Sequence, residues 1–317
     1  MSLCAETLYA IMSPVTILED NFDAKLRRAA FAFLDGMDSS RPISQHDLGR
    51  FEFGGSSIRL MATQQGIWKP RQLDAALSIR TVFAAEPSSR PYADDVGSDG
   101  YLRYKWRGED PNQYENRALR QAMQRQLPLI WFLGVAPGLY LATYPVYLAA
   151  EEPGQHQFVV AVDHESFRLR QELVDADPES VRSYAERVVK VRLHQRVFRE
   201  RVLIAYESRC AICRLHHREL LDAAHVLADS AGGEPVVTNG IAMCAIHHAA
   251  YDTDIFGISP DYRIGVRPDV MAESDGPTLR FALQAIDEAA ISLPRERRAR
   301  PDPVLLDQRW RQFLKAS

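Results

Sequence analysis

The chain has 317 residues, of which 46% are hydrophobic and 25% charged, and its net charge is −4. This is ordinary globular composition with room for about two domains, and the acidic balance argues against a protein that coats nucleic acid indiscriminately. No apolar run reaches the ~18 residues of a membrane span, and the first residues carry acids without a basic leader, so the sequence reads as cytoplasmic.

Residues 18–38 have the apolar spacing of an amphipathic helix that stops near Gly36. Short β-type runs follow between turn signals: "IRLMA", "LIWFLGV", "LYLATYPVYLA" and "QFVVAVD". Together they predict a small barrel or sandwich, interrupted by one helix over 114–126. After Asp163 the texture changes. Asp177-Pro178-Glu179-Ser180 starts a long helix in which Val181, Tyr184, Val188 and Val191, then Phe198, Val202 and Ala205, keep helical spacing. From Arg182 to Arg218 there are ten Arg/Lys against three Glu. A charge run is usually a solvated helix face, but its position beside the cysteines turns the expectation toward a phosphate-facing surface. The end of the chain reads as a basic loop and a final short helix.

Three of the four cysteines stand beside histidines, as "CAIC" from Cys210 and "CAIH" from Cys244. Two such x2-spaced pairs form knuckles that complete a tetrahedron, so Cys210, Cys213, Cys244 and His247 are the expected ligands of a zinc ion. Four protein ligands leave no open position, which makes that zinc structural. Cys4 is expected to be an inert terminal thiol.

Between the knuckles, "LLDAAHVL" reads as a strand and "VVTNGIAMC" as its partner, with "CAIHHAAYDTD" opening a helix. A hairpin followed by a helix, with His225 on the first strand, Asn239 in the loop and His248 on the helix, resembles the HNH (ββα-metal) nuclease family over roughly 205–260. The resemblance implies hydrolysis of phosphodiester bonds. His225 would be the general base and Asn239 would fix the loop and orient His225 through a hydrogen bond. His248 would hold a catalytic divalent ion, Mg²⁺ or Mn²⁺. Many members place an acid directly before the base histidine, and here that position is Ala224. Asp222, two residues earlier on the same strand face, and Asp252, one helical turn after His248, are the candidate replacements.

The stretch from "PYADDVGSDGYLRYKWRGEDPNQYENRALRQAMQ" onward resembles the SRA (YDG) domain, a reader of modified cytosine in DNA, over roughly 55–163. Of that family's later strand, only Gly138 and Tyr140 are retained. The resemblance implies that Tyr92 and Tyr104 sandwich a flipped base while Asp95 accepts hydrogen bonds from its Watson–Crick edge.

The fold class expected is therefore α+β: an SRA/PUA-like β-barrel over residues 1–163, a helical linker over 164–204, and a zinc-containing ββα-metal domain over 205–317. The function expected is a modification-dependent DNA endonuclease acting on double-stranded DNA, favoured as a homodimer because both strands are cut. One alternative is a nuclease whose first domain senses another base modification or a nucleotide ligand. The other is a non-catalytic, zinc-stabilised DNA-binding protein.

Overall fold

The computed structural model describes residues 21–38, 41–83, 96–171, 178–228, 231–274 and 276–316. The first helix, Phe22–Asp35, starts where the Asn21 side chain accepts a hydrogen bond from the Ala24 N–H and ends at Gly36, as its spacing predicts. Its buried face carries Leu26, Ala30 and Leu34, which pack with Ile130, Phe132 and Tyr140 of the sheet beneath.

That sheet is mixed and has seven strands among the described residues. Ile67–Trp68, Ser78–Thr81, Leu129–Ala136, Leu139–Glu152, Gln157–Ala161 and Leu102–Lys105 lie side by side in that order, and Ile43–Ser44 pairs with Leu139–Glu152. All neighbours are antiparallel except the pair Ser78–Thr81 and Leu129–Ala136. The sheet curls. All six of the ordered strands send residues into one interior core, among them Ile67, Ile79, Trp131, Val146, Phe158 and Leu102. Across the curl, Tyr104 on the last strand donates its hydroxyl hydrogen bond to the Gly66 carbonyl beside the first strand, at 2.9 Å. Gly66 permits that approach, since a Cβ there would stand 2.7 Å from the Tyr104 oxygen. The expected interrupting helix is present as Tyr114–Gln124.

The long helix runs as Pro178–Val189 and Arg196–Ala205, joined by a wider π-type stretch over Lys190–Gln195. It is a shared beam more than a spacer. Val181 and Ala185 pack with Tyr101 and Phe167, and Val189 and Leu193 enter the interior of the curled sheet. Phe198, Val202 and Leu203 enter the core of the C-terminal unit. Through these three residues the end of the helix helps close the core of the C-terminal unit.

The C-terminal unit is built on an antiparallel hairpin of Leu221–His225 and Gly240–Cys244, with His225 opposite Gly240 and Leu221 opposite Cys244. The second strand starts later than "VVTNGIAMC" suggests, because Val237–Asn239 forms a 3₁₀ turn. Helix Ala245–Asp252 follows, then the hairpin Phe256–Ile258 and Ile264–Val266. The closing helix, Pro303–Ala316, adds Leu306 to the same core. Among the described residues no helix is long and apolar enough to cross a membrane.

Candidate metal centres

The two Cys-Ala-Ile echoes come together. The ligand atoms of Cys210, Cys213, Cys244 and His247 all lie within 4.8 Å of one another. The first knuckle is a tight turn in which Cys210 N–H meets the Leu215 carbonyl and Arg214 takes a left-handed conformation, φ 64°. The N–H of Ala211 bonds the Ala242 carbonyl, which fastens this turn to the second hairpin strand. In the second knuckle Cys244 caps helix Ala245–Asp252, and His247 falls in its first turn. His247 Nδ1 stands 3.5 Å from Cys210 Sγ and 3.1 Å from Cys244 Sγ. Its Nε2 faces the Ala282 carbonyl at 2.9 Å, which assigns the proton to Nε2 and leaves the Nδ1 lone pair to a metal.

Without a cation, three thiols this close resist ionising together. The hydrogen bond with the Cys210 thiol, then burial, push the Cys244 thiol up to about 11, while the same contact lowers Cys210. The donor set and its clustering fit a tetrahedral zinc ion.

A second group forms on the other side of the sequence pair His247-His248. His248 Nδ1 lies 3.6 Å from Asp222 Oδ2, and its Nε2 lies 3.3 Å from Asp252 Oδ2. Both candidate acids therefore meet this imidazole, at opposite ring nitrogens. An ion held through one nitrogen leaves the other as an N–H donor to the second carboxylate, the usual way a ligating imidazole is oriented. Asp222 is half exposed and takes further contacts at its other oxygen. Oδ1 accepts the Ala223 N–H at 2.8 Å and lies 3.5 Å from Arg199 Nε.

His225 ends the same strand, three residues after Asp222, roughly 10 Å further along at the usual rise. Its ring stacks on Phe198, with centroids 4.1 Å apart and planes at 21°. Opposite it, Gly240 leaves the space: a Cβ there would meet Val202 at 2.4 Å and Phe198 at 2.9 Å. Asn239 is fully buried. Its Oδ1 accepts the Leu227 N–H at 2.8 Å, and its Nδ2 donates to the carbonyls of Leu227 and Glu234. These bonds fasten Asn239 to the backbone of the loop that follows His225.

Three arginines of the basic run are committed within the protein, while Arg182, Arg187, Arg196 and Arg214 are exposed. Glu200 is buried between Arg199 and Arg218, and the Arg201 guanidinium lies over the Phe83 ring. These charges face inward because the helix is packed on both sides.

In the N-terminal unit, Tyr104 departs from its expected role. It is buried in the interior core, edge-on to Trp131, with its hydroxyl on the carbonyls of Gly66 and Arg80. A ring so enclosed cannot lie against a flipped base. Tyr92 and Asp95 lie outside the described residues.

Phe198, Arg199, Glu200 and Gly240 are the site residues that motif reading passed over. Glu200 carried a signal, as an acid inside a strongly basic run. Phe198 and Gly240 carried none, because their role exists only where helix and hairpin meet.

A Cys₃His cluster, a β-hairpin and a helix that presents a carboxylate-flanked imidazole follow one another in the order of the ββα-metal layout expected from the sequence. Residues 210–259 match the HNH endonuclease family. No curated protein matches the sequence. Among solved structures, the chain is similar to the modification-dependent TagI restriction endonuclease, at 16% identity and a TM-score of 0.29, covering 79% of this chain and 86% of that one. It is also similar to the Type IV phosphorothioation-dependent restriction endonuclease ScoMcrA, at 14% identity and a TM-score of 0.24, covering 60% of this chain and 48% of that one.

Proposed function

We propose that the protein is a modification-dependent DNA endonuclease. The observation that carries this reading is His248 held between Asp222 and Asp252, beside the strand that bears His225, within the segment that matches the HNH family. The Cys₃His group would hold a structural zinc ion that fixes the start of the His248 helix. Asp222 and His248 Nδ1 would hold Mg²⁺ or Mn²⁺, and Asp252 would accept the N–H at Nε2. Asp222 is preferred as the ligand because it shares a strand face with position 224, where many members of the family carry the acid. When bound, the divalent ion supplies positive charge to the scissile phosphate and to the leaving oxygen.

The remaining work falls to this chain's own groups. His225 would take a proton from the attacking water, while the flat contact with Phe198 limits its rotation. Asn239 holds the loop after His225 in one conformation by using its amide on the Leu227 and Glu234 backbone.

The N-terminal unit would choose the DNA. Its ordered likeness to the SRA domain supports a reader of a modified base, with cytosine favoured because a carboxylate such as Asp95 accepts from its N4 donor. The burial of Tyr104 favours a second form of this reading. In that form Tyr92 and Asp95 contact a modified base without a two-tyrosine sandwich, or the unit senses another modification or a nucleotide ligand. Double-strand cutting would bring two copies together, and the protein would act in the cytoplasm.

Cleavage of matched duplexes that are unmodified, 5-methylated, hydroxymethylated or glucosylated tests both halves. With Mn²⁺ or Mg²⁺, the protein is expected to cut at least one modified duplex in preference, and His225→Ala to cut none. Equal cutting of all four removes the reader. Parent and His225→Ala behaving identically removes the nuclease assignment to His225.

A further inference from the structure

The acid that many HNH nucleases carry directly before the base histidine is missing here, since position 224 is alanine and buried. Asp222 stands in at a half-exposed site, where a carboxylate on a strand edge would ordinarily rotate freely. We infer that Arg199 is a positioning residue that holds Asp222 toward His248 and so makes the substitute acid effective. The inference rests on the nuclease reading given above.

The carboxylate is used asymmetrically. Oδ1 lies beside Arg199 Nε, at 3.5 Å, and accepts the Ala223 N–H. Oδ2 is the oxygen that faces His248 Nδ1. The Ala223 N–H bond and the Arg199 ion pair at Oδ1 set the plane of the group and leave Oδ2 for the imidazole or its ion. Arg199 can do this because it is itself immobilised. One NH2 nitrogen donates to the carbonyls of Leu221 at 2.8 Å and Arg218 at 3.0 Å, and NH1 donates to Glu200 at 2.6 Å. Glu200 is buried and is also gripped by Arg218. A guanidinium with its donors committed in this way does not swing out to a phosphate. Its planar fork is what allows one side chain to bind two carbonyls, a buried acid and Asp222 together, which a lysine ammonium cannot do. The order of support runs from the buried Glu200 through Arg199 to Asp222 and then to His248, from helix to strand to helix. Outer partners of this kind typically change metal affinity 10–100-fold.

The test measures Mn²⁺ binding by titration calorimetry on the full chain in a His225→Ala background, with zinc content and melting temperature recorded for every variant. Arg199→Ala and Arg199→Lys are each expected to weaken Mn²⁺ binding by about 10-fold or more with zinc content unchanged. Asp222→Asn is expected to weaken it at least as much. Combining it with Arg199→Ala should add little, because the arginine acts through the acid. If Asp222→Asn weakens binding but both Arg199 variants bind as the parent does, the positioning role is overturned while the ion site stands. If Asp222→Asn itself binds as the parent does, the assignment of Asp222 to the ion fails first. If Arg199→Ala loses zinc, the comparison passes to Arg199→Lys alone, and parental affinity in that variant overturns the proposal.

Discussion

His225 lies face to face with Phe198, with ring centroids 4.1 Å apart. The contact joins the strand that carries the proposed base to the helix that enters both cores. Phe198→Leu keeps the volume nearly filled but removes the flat face. Single-turnover cleavage is expected to slow by about 10-fold, a cost near ~1.4 kcal/mol in the barrier, with zinc content unchanged. Phe198→Ala opens the core and should cost about 3–5 kcal/mol of stability in a denaturant melt.

The two carboxylates around His248 have unequal expected effects. Asp222→Asn should raise the Mn²⁺ concentration needed for half-maximal cleavage by roughly 10–100-fold. Asp252→Asn removes only the charge of the acceptor at Nε2 and should raise it less. A cation titration of cleavage reads both, and the reverse ranking would move the ion to the Asp252 side.

Zinc removal should unfold the hairpin region first. The two knuckles meet at the end of the hairpin where the helix begins, so if the Cys₃His group holds zinc, a strong chelator is expected to lower the melting temperature and abolish cleavage together. The sign of the pH effect follows from Cys244. Its thiol is raised to about 11 by the hydrogen bond with Cys210 and by burial, so it is protonated at pH 7 without an ion. In the ion-free protein that contribution favours the fold at low pH and is lost as pH rises through about 11. Taking up zinc expels the proton, so zinc affinity should fall as pH is lowered from about 8 to about 6. Chelator competition at several pH values measures it.

Asp99 ties the edge strand Leu102–Lys105 to helix His164–Gln171 by receiving Arg103 and Arg170. Partial burial pushes its carboxyl up, but the hydrogen bonds from Arg103, Arg170 and the Tyr101 N–H outweigh this and hold it below the usual carboxylate range. Its stabilisation is complete above the unfolded value near ~4 and is lost as pH falls through the lowered folded value. Asp99→Asn should cost about 2 kcal/mol at pH 7 and flatten the acid limb of a stability–pH curve below that point.

Tyr104→Phe separates core packing from base recognition. It deletes the hydroxyl that bridges to Gly66 and Arg80, at a cost of about 1 kcal/mol in a urea melt. Preference among modified and unmodified duplexes should not change. A lost preference with an intact melt would restore Tyr104 to the recognition site.

Much of the C-terminal site could be read along the chain. The cysteine knuckles are legible because an x2 spacing is local, and the turn that brings Cys210 to Cys213 needs no distant partner. His248 and Asp252 also follow from a single helical turn. Strand alternation put Asp222 ahead of Asp252, but that both meet His248 was not legible, since it depends on how the helix lies on the hairpin. Asn239 was legible as a loop residue. Its bonds to the Leu227 and Glu234 backbone were not, because they depend on the shape of the loop between the strands.

In the N-terminal unit the β-type runs and the helix over Tyr114–Gln124 were legible as elements, and their assembly was not. Tyr104 shows why. In sequence it is an aromatic in an ordered motif, suited to a pocket. Curling of the sheet brings it across to Gly66, and burial takes the ring out of reach.

The chemistry available to this protein is written along the chain: four soft ligands in two knuckles, two further histidines, two spare carboxylates and an amphipathic helix between two units. Spacing within one turn, strand or knuckle is enough for that, since the covalent chain enforces it. Which of these groups meet is a matter of packing. Phe198 and Val202 fill the gap left by Gly240 and set the helix against the hairpin, and that contact puts Arg199 beside Asp222 and His225 on an aromatic face. Such meetings between distant segments depend on burying apolar surface, which no local pattern records.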